Sequence, residues 1–218
     1  MTGYARSPRL TRAGLVLIAP DSGQIERIVT LQYAPDSLTR SLEVQGVADE
    51  PDRSQPLRLT GPAVETITLE AELDATDQLE FPDQNADAVE VGLFPVLSAL
   101  ETMIHPTVGQ LERQNQQAGA GSFEIAPAET PLALFVWSRS RIVPVRLTSL
   151  SITEEFFDPA LNPIRAKANL TLRVLSVDDL GFRHRGGGLY LAYLQAKEKL
   201  ASRAQGGELG AFGLAGLP

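Results

Sequence analysis

Strict alternation of apolar and polar residues is the feature that most constrains this fold. From Ile164 to Val174 every second residue is apolar, and the residues between them are polar or charged. Successive side chains of a β-strand point to opposite faces, so the pattern predicts an antiparallel strand with one buried face. The segment Glu65–Leu73 has the same period. Together the two segments predict that β-sheet is the framework of the chain.

Several shorter segments predict further strands. Leu15–Ala19 and Ile25–Tyr33 are separated by turn-forming residues, which predicts a hairpin. Leu132–Trp137 is an apolar run typical of a buried strand. Ile142–Leu147 and Thr148–Phe156 follow, and their pattern leaves open whether they pair with each other or form one bent strand.

Two segments predict helices. Over Gly92–Gln117 apolar residues recur at spacings of three and four, and Pro106 is expected to end or kink that helix. The polar, glycine-rich residues 109–122 are expected to be mobile. A second helix is predicted over Leu189–Ala204. The run Gly186–Gly188 before it favours a flexible joint over an anion site, because the residues of a P-loop are missing.

Composition excludes several chemistries. The chain has no cysteine, so disulfides and thiolate metal sites are excluded. With 27 Asp and Glu against 19 Lys and Arg, its net charge of −8 argues against nucleic-acid binding, which needs a basic face. The apolar run Leu15–Ala19 is too short for a signal sequence or a membrane span, so no membrane insertion is expected.

No candidate catalytic, cofactor or metal site is found. The acidic residues between Asp74 and Asp87 lack the spacing of a calcium-binding loop and predict a solvated connector. His105 and His184 have no metal-ligand spacing. Ser138 and Ser140 lack the flanking glycines of a nucleophile elbow. We therefore expect a protein that is not an enzyme and that carries no cofactor.

Charge is distributed unevenly along the chain. Basic residues concentrate on the polar faces of the C-terminal strands, and the N-terminal half carries the excess of acid. In a monomer this is a solvated surface, whereas in a ring the basic edge of one subunit meets the acidic edge of the next. The sequence leaves both open. The predicted interface residues are Trp137, Arg139, Arg141, Arg165, Lys167, Arg173, Leu209, Phe212 and Leu214.

Four ordered segments resemble the tube-protein family of contractile injection systems, the tube-to-baseplate adaptors of phage-tail-like particles of the antifeeding-prophage type. They are Tyr33–Val44 (YAPDSLTRSLEV), Leu57–Asp77, Leu134–Val174 and, within the last, the hinge Asn162–Ala166. The resemblance covers about residues 15–180. Several family members continue into a LysM module, and this chain continues instead into a helix and a glycine-rich tail.

The resemblance implies a mainly β fold of the α+β class, a tail-tube-like β-sandwich or barrel with one packed helix and a further C-terminal helix. Residues 1–14 are expected to form a flexible leader, 15–180 the tube-like domain, and 181–218 the helix and tail. Glu65–Leu73 and Ile164–Val174 would line or support a channel, and the helix Gly92–His105 would pack outside. Ala48–Pro56 and Gly109–Ser122 would make axial contacts.

The resemblance also implies a function. The expected role is a ring-forming adaptor that joins the inner tube to the spike or baseplate. The expected partners are further copies of the chain in a sixfold ring, the inner tube protein and spike or baseplate proteins. An adaptor at the cap end of the particle and a monomeric β-sandwich binding module are the alternatives. Assembly is expected in the cytoplasm within a phage-tail-like particle, with release from the cell left open.

Overall fold

One antiparallel sheet forms the framework of the chain. The computed structural model describes residues 12–19, 22–33, 35–46, 58–119, 130–204, 206–207 and 209–216. Within them, seven strands lie in the order β2-β1-β5-β6-β7-β4-β3. They are β1 (Gly14–Ile18), β2 (Ile25–Thr30), β3 (Leu38–Glu43), β4 (Val64–Asp74), β5 (Leu132–Ser138), β6 (Arg141–Phe157) and β7 (Pro163–Val174).

Helices occupy two regions between and after the strands. They are α1 (Thr76–Leu79), α2 (Ala86–Val91), α3 (Phe94–Glu101), α4 (Val108–Gly119), α5 (Val177–Leu180) and α6 (Arg185–Ala201), with short 3-10 helices at Pro82–Gln84 and Leu209–Phe212. The prediction of a mainly β chain of the α+β class is confirmed.

The two alternating segments lie side by side. β4 pairs antiparallel with β7, with Ile67 opposite Leu172 and Ala71 opposite Ala168. The apolar residues on one face of both strands are buried, except for half-buried Ile164, and polar residues alternate with them on the other face. The predicted strands and their buried faces are therefore confirmed, and the hairpin of β1 with β2 is confirmed as well.

β6 is one bent strand, which settles the alternative that the sequence left open. Its 17 residues pair first with β5, from Arg141 to Val145, and then with β7 as far as Phe157. The register shifts between Leu147 and Ser149. A bulge of this kind bends a strand, so β6 belongs to both halves of the sheet.

The sheet rolls so that its two borders approach each other. Gln32, just after the edge strand β2, donates from Nε2 to the carbonyl oxygen of Asp74 at 2.6 Å and accepts from the Asp74 backbone N–H at 2.8 Å. Asp74 ends β4, which is next to the opposite edge strand, β3. Both halves share one apolar core, which agrees with the expected sandwich or barrel-like arrangement.

Hydrogen bonds place the start of α3 and the middle of α6 near opposite ends of β4. The backbone N–H of Leu93, just before α3, donates to Pro163 beside the Asp74 end of the strand. Tyr193 of α6 donates to Glu65 near the other end. Glu65 and Asp74 are nine positions apart along β4, about 30 Å in an extended strand.

The region between β4 and β5 contains more helix than its pattern indicated. The connector Asp74–Asp87 is largely exposed to solvent, as predicted, but it contains α1 and the start of α2. Residues 109–119, predicted to be mobile, form α4, because its Gln, Glu and Ala residues favour helix despite the flanking glycines. The predicted helix over 92–117 is interrupted between α3 and α4, and the prediction that Pro106 ends or kinks it is confirmed. The expected leader up to residue 11, the loop Ala48–Pro56 and residues 120–122 lie outside the described residues.

The expected flexible joint at Gly186–Gly188 is also wrong. These glycines form the first turn of α6, which begins at Arg185 and not at Leu189. A Cβ on Gly187 would overlap the carbonyl oxygen of Gly181, and one on Gly186 would lie 2.5 Å from Leu180 Cδ1. Gly187 is therefore required, because the helix packs directly against the backbone of the preceding loop.

Candidate assembly surface

Three strand edges have no ladder partner within the described residues. β2 pairs only with β1, and β3 pairs only with β4. Residues 148–157 of β6, beyond its pairing with β5, contact β7 on one side only. We call this last segment the β6 edge. Unpaired backbone N–H and C=O groups on such an edge are ready to pair with another strand.

The β6 edge has little of the usual protection against pairing. At ten residues it extends about 33 Å, long for an edge strand. Its sequence, TSLSITEEFF, contains neither lysine nor proline, and its protective features are two glutamates near the end and the bulge at its start. Its outward residues Ser149, Ser151 and Thr153 are small and exposed. The edge is therefore accessible along most of its length.

A rigid turn projects apolar side chains where β6 meets β7. Asp158 Oδ1 accepts from the backbone N–H groups of Ala160 at 2.7 Å and Asn162 at 2.8 Å. These hydrogen bonds lower the pKa of Asp158. Phe156 and Leu161 have positive φ angles of 54° and 67°, which bulky residues rarely adopt. Leu161 is 74% exposed, so a strained and well-bonded turn presents an apolar side chain to solvent.

Two predicted interface cations already have partners within the chain. Arg165 Nη2 lies 2.8 Å from Asp74 Oδ2, and the guanidinium of Arg165 lies over the Phe156 ring. Burial would raise the pKa of Asp74, but hydrogen bonds from Thr76 and Arg165 outweigh it and lower that pKa. Arg173 Nη2 lies 2.7 Å from Asp179. Part of the predicted basic face is therefore neutralised within the subunit.

The remaining predicted interface residues are dispersed. Arg139 and Arg141 lie at the turn between β5 and β6, with no carboxylate within 4 Å among the described residues. Lys167 stands opposite Glu72 in the β4–β7 ladder. Trp137 is half-buried, and its ring centroid is 5.9 Å from that of buried Phe135, so it borders the core. The exposed tail residues are Leu209, Phe212 and Leu214.

A buried ionic cluster joins three elements and was missed by the sequence analysis. Glu65 of β4 is 3% exposed and accepts from Arg40 Nε of β3 at 2.6 Å, from Lys197 Nζ at 2.8 Å and from Tyr193 Oη at 3.0 Å, both of α6. Burial would raise the pKa of Glu65, but the hydrogen bonds from Arg40 and Lys197 outweigh it, so that pKa is lowered. The burial of Glu65 could have been predicted, because Glu65 lies two residues before Ile67 and therefore on the same apolar face of the strand.

The described residues contain neither a metal-binding cluster nor a membrane-spanning helix. Among the described residues, no group of three or more His, Asp and Glu side chains is arranged to hold a metal ion. Within the same ranges, no helix has the length and apolar character needed to cross a membrane.

Comparison with known proteins gives only distant structural likenesses. No family model matches the chain. No curated protein matches it either. A chain in the tail of an empty gene transfer agent particle with C6 symmetry is 16% identical with a TM-score of 0.29, and the match covers 75% of this chain and 90% of that chain. A chain in the virion of a native gene transfer agent particle is 14% identical with a TM-score of 0.28, over 74% and 90%. TM-scores in this range do not establish a shared fold.

Proposed function

We propose that this chain is a ring-forming structural component of a contractile injection system, an adaptor that joins the inner tube to the spike or baseplate. The observation that carries the proposal is the long β6 edge, which has no ladder partner on one side within the described residues. Residues 15–180 resemble the tube-protein family in several ordered segments, which supports the proposal that the particle is a contractile injection system. In this role the chain acts through contacts between subunits and not through catalysis.

Strand edges explain how such a chain would assemble. An edge that is open in one copy can be completed by a strand of the next copy, and β2 and β3 provide further open edges. The contact is heterologous, so it forms a closed ring when its rotation divides the circle. Further copies of the chain, the inner tube protein and the spike or baseplate proteins are the proposed partners, within a phage-tail-like particle.

The proposed position is tested by locating the chain in intact particles. A labelled copy is expected at the junction of the tube and baseplate by electron microscopy of the assembled particle. A label found at the cap end would support the alternative adaptor role. A full-length chain that never incorporates into particles would contradict both adaptor roles.

Proline substitution tests the β6 edge directly. Neighbouring backbone N–H groups of a strand point in opposite directions. One of the two variants Ser151→Pro and Ile152→Pro therefore removes a hydrogen bond to β7, and the other removes a donor from the free edge. We expect one variant to lower the unfolding temperature strongly, and the other to keep its fold better and lose ring formation. Thermal denaturation and mass photometry measure the two properties, and rings from the better-folded variant would contradict the role of the edge.

The apolar tail provides a separate prediction. Deleting residues 206–218 is expected to weaken assembly, because exposed Leu209, Phe212 and Leu214 are available to contact a neighbouring component. The deletion should leave the unfolding temperature nearly unchanged, since none of the three belongs to the core. Particle yield from the truncated chain is the measurement, and normal particles would refute a role for the tail.

A further inference from the structure

Three large apolar side chains are exposed within the short turn that joins β6 to β7. Phe156 and Leu161 are 64% and 74% exposed, and Phe157 is exposed as well. All three belong to residues 156–161, which we call the hairpin tip. Large apolar side chains exposed in one place on a soluble protein commonly mark a surface that another molecule covers.

The backbone of the hairpin tip is strained at two of these apolar residues. Phe156 and Leu161 have positive φ angles, which glycine or asparagine adopts more easily than a bulky residue. The turn is nevertheless well bonded, because Asp158 accepts from the backbone N–H groups of Ala160 and Asn162 and from Asn162 Nδ2. Strain that persists in a well-bonded turn indicates that the two side chains have a use of their own.

The hairpin tip is fixed against the junction of α2 and α3. Asn162 Nδ2 donates to the Glu90 carbonyl oxygen at 3.0 Å, and the Leu93 backbone N–H donates to the first carbonyl group of β7 at 2.9 Å. Val89 and Phe94, which flank Glu90 and Leu93 in the chain, are exposed. The tip and the junction are therefore neighbouring parts of the subunit, and together they expose five large apolar side chains.

Carboxylates outnumber cations around the hairpin tip. Arg165 stands opposite Glu155 in the ladder, but its guanidinium is bound to Asp74 at 2.8 Å. Arg27 binds the end of α3 that is remote from the tip. Four carboxylates beside the apolar side chains have no cation within 4 Å among the described residues, and they are Glu90, Glu154, Glu155 and Asp158.

We propose that the hairpin tip and the α2–α3 junction bind a basic amphipathic segment of another protein. The apolar side chains of that segment cover the exposed apolar residues, and its Lys and Arg side chains pair with the carboxylates around them. A partner without cations would leave these carboxylates desolvated and unpaired, which is costly. The inference goes beyond the proposed function, because one subunit can bind such a segment whether or not its β6 edge is completed.

Peptide binding by the full chain tests the inference. The probe is a fluorescent synthetic helix of leucine and lysine with one apolar and one basic face, and the comparison peptide has glutamate in place of each lysine. We expect fluorescence anisotropy to show binding of the lysine peptide at low salt and no binding of the glutamate peptide. Added salt should weaken the binding, because exposed charges are screened.

Leu161→Asn separates binding from stability. Asparagine tolerates a positive φ better than leucine does, so the variant should unfold at the wild-type temperature or above it. The substitution removes the most exposed apolar side chain of the tip, and we expect affinity for the lysine peptide to fall about tenfold. Leu59→Asn is the matched control, because Leu59 is 71% exposed and lies outside the tip, and its affinity should equal that of the wild type.

Removal of charge tests the carboxylates separately. Glu90→Gln with Glu154→Gln keeps the size of two exposed side chains and removes their charges. We expect affinity for the lysine peptide to fall about threefold to tenfold at low salt, and the difference from the wild type to disappear at high salt. Glu70→Gln with Glu72→Gln removes the same charge from the exposed middle of β4 and should bind like the wild type.

Several outcomes would overturn the inference. A wild type that binds neither peptide, or binds both equally, would do so. A folded Leu161→Asn variant, or a folded Glu90→Gln, Glu154→Gln variant, that binds as tightly as the wild type would also do so. Co-sedimentation of the wild type, but not of Leu161→Asn, with vesicles of phosphatidylcholine and phosphatidylserine would assign the tip to a membrane instead. Self-association of the wild type that Leu161→Asn abolishes would assign it to a second copy.

Discussion

Gly187→Ala is expected to destabilise the folded chain by about 3 kcal/mol, among the largest effects of any single methyl group here. The new Cβ would overlap the carbonyl oxygen of Gly181, which is backbone and cannot rotate away as a side chain would. The overlap can be removed only if the first turn of α6 moves away from the preceding loop. Urea denaturation of the full chain measures the loss.

Gly188→Ala is the matched control, one residue further along the same helix. A Cβ at Gly188 has no atom within 4 Å, and the residue is exposed. Replacing a helical glycine by alanine there should stabilise the chain, by up to about 1 kcal/mol. Equal effects of the two substitutions would show that the glycine run serves flexibility and not close packing.

Glu65→Gln is expected to cost about 2 to 3 kcal/mol at neutral pH. The substitution keeps the size of the side chain but removes the negative charge that Arg40 and Lys197 share. Removing one partner of a buried ion pair costs about 3–5 kcal/mol, and the partial exposure of both cations reduces that figure. Thermal or urea denaturation of wild type and variant provides the comparison.

The effect of Glu65 depends on pH in a defined direction. Its pKa is lowered in the folded chain, so its contribution is fully present above the pKa of the unfolded chain and is lost as pH falls through the folded value. The difference in unfolding free energy between wild type and Glu65→Gln should therefore shrink in acid below the ordinary glutamate pKa. Glu72→Gln, exposed on the same strand, should change stability by less than about 0.5 kcal/mol at every pH. A difference that grows in acid would contradict the ionic role of Glu65.

The strands were predictable because their signal is local. In β4 and β7 apolar and polar residues alternate with a period of two, so the sequence alone indicates which face of each strand is buried. The bulge near Leu147 could not be predicted, since a bent strand and two paired strands have the same pattern. The bulge depends on which strands pair with β6, and the pattern of β6 itself does not say that its first part pairs with β5 and its second part with β7.

Contacts between remote residues account for what the sequence analysis missed. Arg165 was predicted at an interface because its partner Asp74 is 91 residues away in the chain. The glycines before α6 were interpreted as a joint because the overlap with Gly181 exists only after the loop has folded back. Glu65 was the exception, since an acidic residue on an apolar face already indicated a buried charge needing partners.

The bulged strand makes the fold one cooperative unit. β6 supplies ladder partners to β5 with its first residues and to β7 with its last, so neither half of the sheet can keep its full set of backbone hydrogen bonds without the other. Both pairings of β6 are hairpins between neighbouring segments, whereas β1 with β5 and β4 with β7 join segments distant along the chain, and such distant pairings slow folding. Neither half of the sheet is therefore expected to fold in isolation, and unfolding of either half should unfold the whole subunit.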